Sequence, residues 1–378
     1  MKFIVAADSF KGSLSAQKFA EITEKEILDV FPGSTVLKLP MADGGEGTME
    51  IVVDALSGKV IHTTAKDPLL NDMDARLGIV DGEKAIFEMA EVSGLTLVPN
   101  DKRNPLYTST WGTGQLILKA LDCGCSEIII CIGGSATNDG GIGAMGALGA
   151  KFIDSDGKEL EPIAVNLEKI AKIDVSEMSE KIKDAKFRVM CDVTNPLTGE
   201  KGATYVFGPQ KGADAEKLVQ LEKGMKNYAV KLRETFGFDP DTPGAGAAGG
   251  LGAALKAFLG AELKSGVKTV LELYDFENKL EDTDIVITGE GRVDGQSADG
   301  KVLSGIGEMC LKKGVSAFAI AGGLGKGFES IYDCGIRSVI PTVSGIMDLD
   351  HAMENAEPLL KSAAQRALRL VKIGMNIK

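Results

Sequence analysis

The stretch KFIVAADSFKGSLSAQKFAEITEKEILDVFPGSTVLKLPMADGGEGTMEIVVDALSG, residues 2–58, decides the fold class. Lys2 to Ala7 reads as a strand. Ala16, Phe19, Ala20, Thr23, Ile27, Val30 and Phe31 then recur at helical spacing and mark one apolar face, which Pro32-Gly33 stops. Thr35 to Leu39 is the next strand, and Met49, Val52, Val53 and Leu56 form a second helix face closed by Gly58. The chain therefore begins βαβα, the pattern of a parallel sheet.

Outward from this segment, the alternation returns near the C-terminus. Runs Ile285 to Thr288, Ala317 to Ala321 and Ser338 to Pro341 are separated by helix-length segments. Between them the order is not a simple βα repeat: short strands Leu77 to Val80 and Ala85 to Glu88 mix with a buried-type strand, Glu127 to Ile132, and several helices. No repeat of 20–50 residues and no Pro-rich linker breaks the chain. The expected organisation is a discontinuous domain, residues 1–65 and 285–378, interrupted by an α/β insert, residues 66–284.

With 378 residues, 44% hydrophobic and 25% charged, the composition suits two globular domains. A net charge of −12 carries no basic footprint, which argues against nucleic acid or an anionic membrane as main partner. No signal-peptide pattern opens the chain and no apolar run is long enough to span a bilayer, so a cytoplasmic location is expected. The six cysteines form no zinc spacing and read as small buried hydrophobes. The 47 glycines cluster in short loops after strands, where α/β proteins bind phosphates.

Asp8-Ser9-Phe10-Lys11-Gly12 follows the first strand. Asp8 and Ser9 can position a substrate's hydroxyl and carboxylate, and Lys11 can offer charge to a phosphoryl group. A helix cap with a solvated lysine is the competing explanation. Asp43-Gly44-Gly45-Glu46-Gly47 lies after the second strand, where glycine N–H groups can face an anion and Asp43 and Glu46 can hold Mg²⁺. The loop Gly133-Gly134-Ser135-Ala136-Thr137-Asn138-Asp139-Gly140-Gly141 suits a phosphate cradle through Gly133, Gly134, Ser135 and Asn138, with Asp139 suited to magnesium. Thr288-Gly289-Glu290-Gly291-Arg292, after the strand Asp284 to Ile287, offers Glu290 to a metal or hydroxyl and Arg292 to a carboxylate.

Neither of the two histidines, His62 and His351, lies in a glycine-rich loop, so general-base work falls to a carboxylate. Asp192 closes the strand-like Phe187 to Cys191, and an aspartate there can accept an alcohol proton during phosphoryl transfer. Two decoys are present. Gly141-Ile142-Gly143-Ala144-Met145-Gly146 fits a dinucleotide fingerprint, but a long loop separates it from its strand, and Gly244, Gly246 and Gly249 follow no convincing strand. The small residues around Gly249 suit close helix packing or the lining of a substrate cleft. Gly295 to Lys301 fits a phosphate-loop pattern without the Ser/Thr that would bind Mg²⁺.

Taken in order, these motifs, with Phe207-Gly208-Pro209-Gln210-Lys211-Gly212-Ala213, resemble the type 1 glycerate kinase family over about residues 1–325. The resemblance implies ATP-dependent phosphorylation of D-glycerate, usually at the 2-hydroxyl. It also implies a flavodoxin-like parallel-sheet domain interrupted by a second α/β domain, with the active cleft between them. On that basis Asp192 and Lys11 are the expected catalytic residues, and Asp8, Ser9, Asp43 and Arg292 bind substrate. Gly133, Gly134, Ser135, Asn138 and Lys211 hold ATP, and Asp43, Asp139 and Glu290 take Mg²⁺. A 3-phosphoglycerate-forming kinase, an NAD-dependent dehydrogenase and a non-catalytic sugar-acid sensor are the alternatives, and the sequence leaves homo-oligomerisation open.

Overall fold

The structure, a computed structural model, describes residues 1–298 and 300–375. Its strands in chain order are β1 Lys2–Val5, β2 Thr35–Lys38, β3 Lys59–Lys66, β4 Asp72–Val80 and β5 Lys84–Glu88. They continue with β6 Glu127–Cys131, β7 Lys151–Ile153, β8 Lys172–Asp174, β9 Lys186–Met190, β10 Glu262–Lys264, β11 Ile285–Val293, β12 Ser316–Leu324 and β13 Ile336–Pro341. The chain divides into two units, the first holding residues 1–43, 54–56 and those from 267 onward, the second holding residues 44–53 and 57–266.

In the first unit, β13-β12-β11-β1-β2 form one sheet in which every neighbouring pair is parallel. Phe3, Ile4 and Val5 are all fully buried, as a parallel strand covered on both faces requires. Helix Ala16–Val30 starts where Ser15 Oγ accepts the Lys18 amide at 3.1 Å, satisfying one of the amides a helix start leaves unpaired. Its Phe19 and Ile27 pack with Leu360 and Leu368 of helix Ala356–Met375 against Phe3, Val5 and Ile320. Counted within this unit, the strand order is 2-1-3-4-5, with the winding reversed between β1 and β11. The carboxyl ends on either side of such a reversal form a crevice that connections leave open, which is where open α/β sheets bind ligands.

The sequence pattern ends the strand that begins near Ile285 at Ile287 or Thr288, whereas β11 runs on to Val293. The cause is its partner. β1 stops at Val5, but β12 continues to pair with β11 as far as Val293 and Leu324. Glu290 and Arg292 therefore project from a strand and not from a loop.

In the second unit the sheet order is β10-β9-β6-β5-β4-β3. β5, β6, β9 and β10 are parallel, while β3, β4 and β5 are joined antiparallel, which accounts for the irregular order of the middle of the chain. β7 and β8 form a separate antiparallel pair. Buried Leu77, Phe87, Ile128, Ile130, Leu116, Ile142, Leu251 and Leu255 share its core. Among the described residues, no helix is long and apolar enough to cross a membrane.

Candidate active site

In the first unit, polar groups collect at the reversal between β1 and β11. The Asp8 amide donates to the Gly289 carbonyl at 2.8 Å, which fixes Asp8 beside β11. Its carboxylate accepts the Ser9 amide at 2.7 Å. Burial pushes the Asp8 carboxyl above its usual range and the Asp43 carboxylate adds to the rise, while the Ser9 amide and Lys11 oppose it. Lys11 Nζ lies 3.5 Å from Asp43 Oδ2, with its side chain largely in solvent. On β11, Glu290 Oε1 accepts a hydrogen bond from Ser297 Oγ. Burial raises the Glu290 carboxyl as well, reinforced by Asp8 and Asp294 and opposed by Ser297 and Lys301. Arg292 Nε stands 3.6 Å from Asp294 Oδ2 and its side chain is 72% exposed, so its planar donor fork remains accessible to an incoming carboxylate.

This is a set of carboxylates whose electrostatic environment resists charge, lying beside cations that face solvent. Carboxylates perturbed in this way mark a candidate functional site, where a divalent cation would offset the burial that disfavours their charge. Asp43 and Glu290 carry hard oxygen atoms of the kind that Mg²⁺ accepts. Among the described residues no three His, Cys, Asp or Glu side chains are grouped to enclose a metal. A magnesium ion bound here would take the rest of its shell from water and phosphate oxygens, which is its habit.

The second unit brings together four segments distant in sequence. A methyl group placed on Gly44 would stand 3.1 Å from Met190 Cβ and 3.5 Å from Gly266 Cα, and one on Gly133 would stand 3.8 Å from the Gly44 carbonyl oxygen. The glycine loop after Asp43, the end of β9, the start of the Gly133 loop and Gly266 thus meet at the carboxyl ends of β6 and β9. Asp192 is exposed there, and its Oδ1 accepts the Gly266 amide at 3.2 Å.

The Gly133–Gly141 loop has two halves. Gly133 and Gly134 are exposed, whereas Ser135 through Asp139 are buried. The open half is tied down by the Leu95 amide on the Gly134 carbonyl, 2.8 Å, and the Ala136 amide on the Ser93 carbonyl, 2.9 Å. In the buried half, Asn138 Nδ2 donates to Thr204 Oγ1 at 3.1 Å. Asp139 is fully buried and accepts from the Thr110 amide and hydroxyl, both at 2.8 Å, and from the Gly141 and Gly143 amides at 3.1 and 3.2 Å. Four internal donors leave this carboxylate no open face for a metal ion. Asp139 anchors the loop, and the magnesium expectation narrows to Asp43 and Glu290. Lys211 is buried as well, its Nζ donating to the Thr137 carbonyl at 2.6 Å. Burial pushes its ammonium down to about 7 against the pull of Asp139.

The loop is also braced by the kinked start of helix Ala247–Leu259, where Ala248, Gly249 and Gly250 all take left-handed backbone angles. The Gly140 amide donates to the Gly249 carbonyl at 2.9 Å, and a methyl on Gly249 would fall 2.0 Å from the Thr137 carbonyl oxygen. The small residues here do serve close packing. Gly249→Ala is expected to destabilise the fold by about 3 kcal/mol, since neither the backbone angle nor the rigid carbonyl can yield. Chemical denaturation measures this directly, and a loss below about 1 kcal/mol would show that the loop relaxes instead.

Sequence reading missed Glu88. It ends β5, next to the start of the Gly133 loop, and accepts the Met49 amide at 3.1 Å, with the Gly47 amide also bonded to it. Burial raises its carboxyl, and Glu50 and Glu91 add to the rise. The available signal was positional: a glutamate at the carboxyl end of the strand beside β6.

One parallel and one mixed sheet, with glycine turns and perturbed carboxylates beyond the carboxyl ends of their parallel strands, define an α/β enzyme. The chain belongs to the glycerate kinase family, whose pattern it matches over residues 3–372. It is 46% identical to the glycerate kinase of Bacillus subtilis (strain 168), over 100% of this chain and 99% of that one. It is 44% identical to the glycerate 2-kinase of Escherichia coli (strain K12), again over 100% and 99%. A crystal structure of a Salmonella typhimurium LT2 protein, 41% identical, superposes with a TM-score of 0.91 and 100% coverage of both chains. Membership of this family makes the chain a kinase that uses ATP.

Proposed function

We propose that this enzyme transfers the γ-phosphoryl group of ATP to the 2-hydroxyl of D-glycerate, giving 2-phosphoglycerate and ADP. The observation that carries the mechanism is the meeting of exposed Asp192 with the Gly44 and Gly133 loops at the carboxyl ends of β6 and β9. The regiochemistry is supported by the 44% identity with the Escherichia coli glycerate 2-kinase.

In this reading, the exposed backbone of Gly133 and Gly134 receives nucleotide phosphate, with Ser135 and Asn138 shaping the turn behind it. Arg292 binds the glycerate carboxylate in bidentate fashion, while Asp8 and Ser9 orient its hydroxyl groups. Asp192 accepts the proton of the 2-hydroxyl as that oxygen forms its bond to the γ-phosphorus and the bond from phosphorus to the β,γ-bridging oxygen breaks, releasing ADP. Lys11 screens the charge on the transferring group, and Asp43 and Glu290 hold Mg²⁺. When bound, that ion neutralises charge on the phosphate oxygens.

The test is ³¹P NMR of the product formed by the purified protein from D-glycerate, ATP and Mg²⁺. A 2-phosphoglycerate resonance is expected. A 3-phosphoglycerate resonance would overturn the regiochemistry alone, and the absence of any new phosphoester would overturn the reading.

A further inference from the structure

Lys211 belongs to a segment with two grips on the Gly133–Gly141 loop. Thr204 takes the side chain of Asn138, and Lys211 takes the carbonyl of the preceding residue, Thr137. The turn carrying Lys211 is itself fixed, with the Lys211 amide on the Gly208 carbonyl at 3.0 Å and the Gly212 amide on the Pro209 carbonyl at 3.1 Å. A lysine that touches nucleotide phosphates must present its ammonium on the open side of the loop. This one is 1% exposed and is bonded to the carbonyl of the fully buried Thr137.

We propose that Lys211 is a positioning residue: its ammonium acts from behind the loop, setting the backbone that receives the nucleotide's phosphates without touching them. The inference rests on the assignment of that loop to ATP. Its physical basis is the planarity of the peptide bond. Holding the Thr137 carbonyl toward Lys211 fixes the whole planar Thr137–Asn138 peptide, which is buried behind the exposed Gly133 and Gly134 backbone. In its protonated form, which burial confines to pH below about 7, the amine holds this carbonyl more firmly than a neutral donor would, because the low surrounding dielectric strengthens the contact. Asp139 reinforces the arrangement from within the same buried cluster. It supplies the opposite charge, yet it is satisfied by its own four donors, so it does not depend on Lys211 for hydrogen bonding.

The discriminating variant is Lys211→Met, which keeps the length of the side chain and removes the donor. It is expected to raise KM for ATP by about 30-fold, the scale of a lost charge-assisted hydrogen bond, with kcat within about threefold and KM for glycerate unchanged. Affinity for ADP should fall in parallel, while affinity for adenosine, which has no phosphate, stays at the wild-type value. Lys211→Arg should recover part of the loss. Equal weakening of ADP and adenosine, or a fall in kcat with KM for ATP intact, would overturn the inference. Should Lys211→Met not fold, Thr204→Val carries the same test through Asn138, with a smaller ADP-selective loss expected and equal loss of ADP and adenosine overturning it. The wild-type enzyme serves as the control for the underlying reading: if it binds no ATP and makes no phosphoester, the assignment of the loop fails, whereas normal wild-type turnover with an ADP-insensitive Lys211→Met fails the inference alone.

Discussion

Asp192→Asn is expected to lower kcat about 1,000-fold, within the range ascribed to a positioned general base, while leaving both KM values within about threefold. The side-chain oxygen of asparagine can still accept the Gly266 amide that Asp192 Oδ1 holds at 3.2 Å, so the local geometry survives and only the capacity to take a proton is lost. A coupled assay for ADP release measures kcat, and ³¹P NMR of the same mixture distinguishes transfer to glycerate from hydrolysis. A loss smaller than tenfold would remove Asp192 from the role of base.

Glu290→Gln is expected to move activity and stability in opposite directions. Turnover should drop about 100-fold, as a charged oxygen is withdrawn from the place assigned to Mg²⁺. The fold, however, should become more stable. Because burial raises the Glu290 carboxyl above its unfolded value, the group favours the folded state while protonated, and that contribution is lost as pH rises through the raised value. Above that raised value the ionised group therefore opposes folding. Glutamine removes the opposition and can still accept from Ser297. The gain, on the order of 1 kcal/mol, should appear as a rise of about 1–2 °C in Tm at pH 7. It should vanish at about pH 3, where both folded and unfolded wild-type chains are protonated at this position. A lower Tm for the variant at pH 7 would show that Glu290 is instead held by favourable charge contacts. Asp8 has the same sign for the same first cause, burial.

The parallel α/β class was legible because apolar runs of strand length alternate with helical faces, a pattern set by local geometry. Phe3 to Val5 and the spacing of Phe19 and Ile27 are examples, and all five are buried as their pattern implies. What local pattern does not encode is the direction in which a loop side chain turns. Asp139 and Lys211 stand in polar loop motifs, as Asp43 and Asp192 do, but tertiary contacts with Thr110 and Thr137 draw them inward. Glu88 escaped for the converse reason. Its neighbours in sequence form an ordinary strand end, and its importance arises from the Gly47 and Met49 amides about 40 positions earlier. The length of β11 depends likewise on β12, a partner that no window around Glu290 contains.

The sheet of the first unit pairs β1 with β11, setting Phe3 opposite Ile285. During synthesis this has an order built into it. The first two strands leave the ribosome early and cannot complete their sheet until some 250 further residues have been translated, while nearly all of the second unit, residues 57–266, emerges as one continuous piece. The second unit can therefore fold first, with the apolar Phe3, Ile4 and Val5 waiting unpaired through its translation. The nascent chain is most exposed to aggregation during that interval, and a chaperone that shields the N-terminal forty residues would protect the step on which completion of the sheet depends.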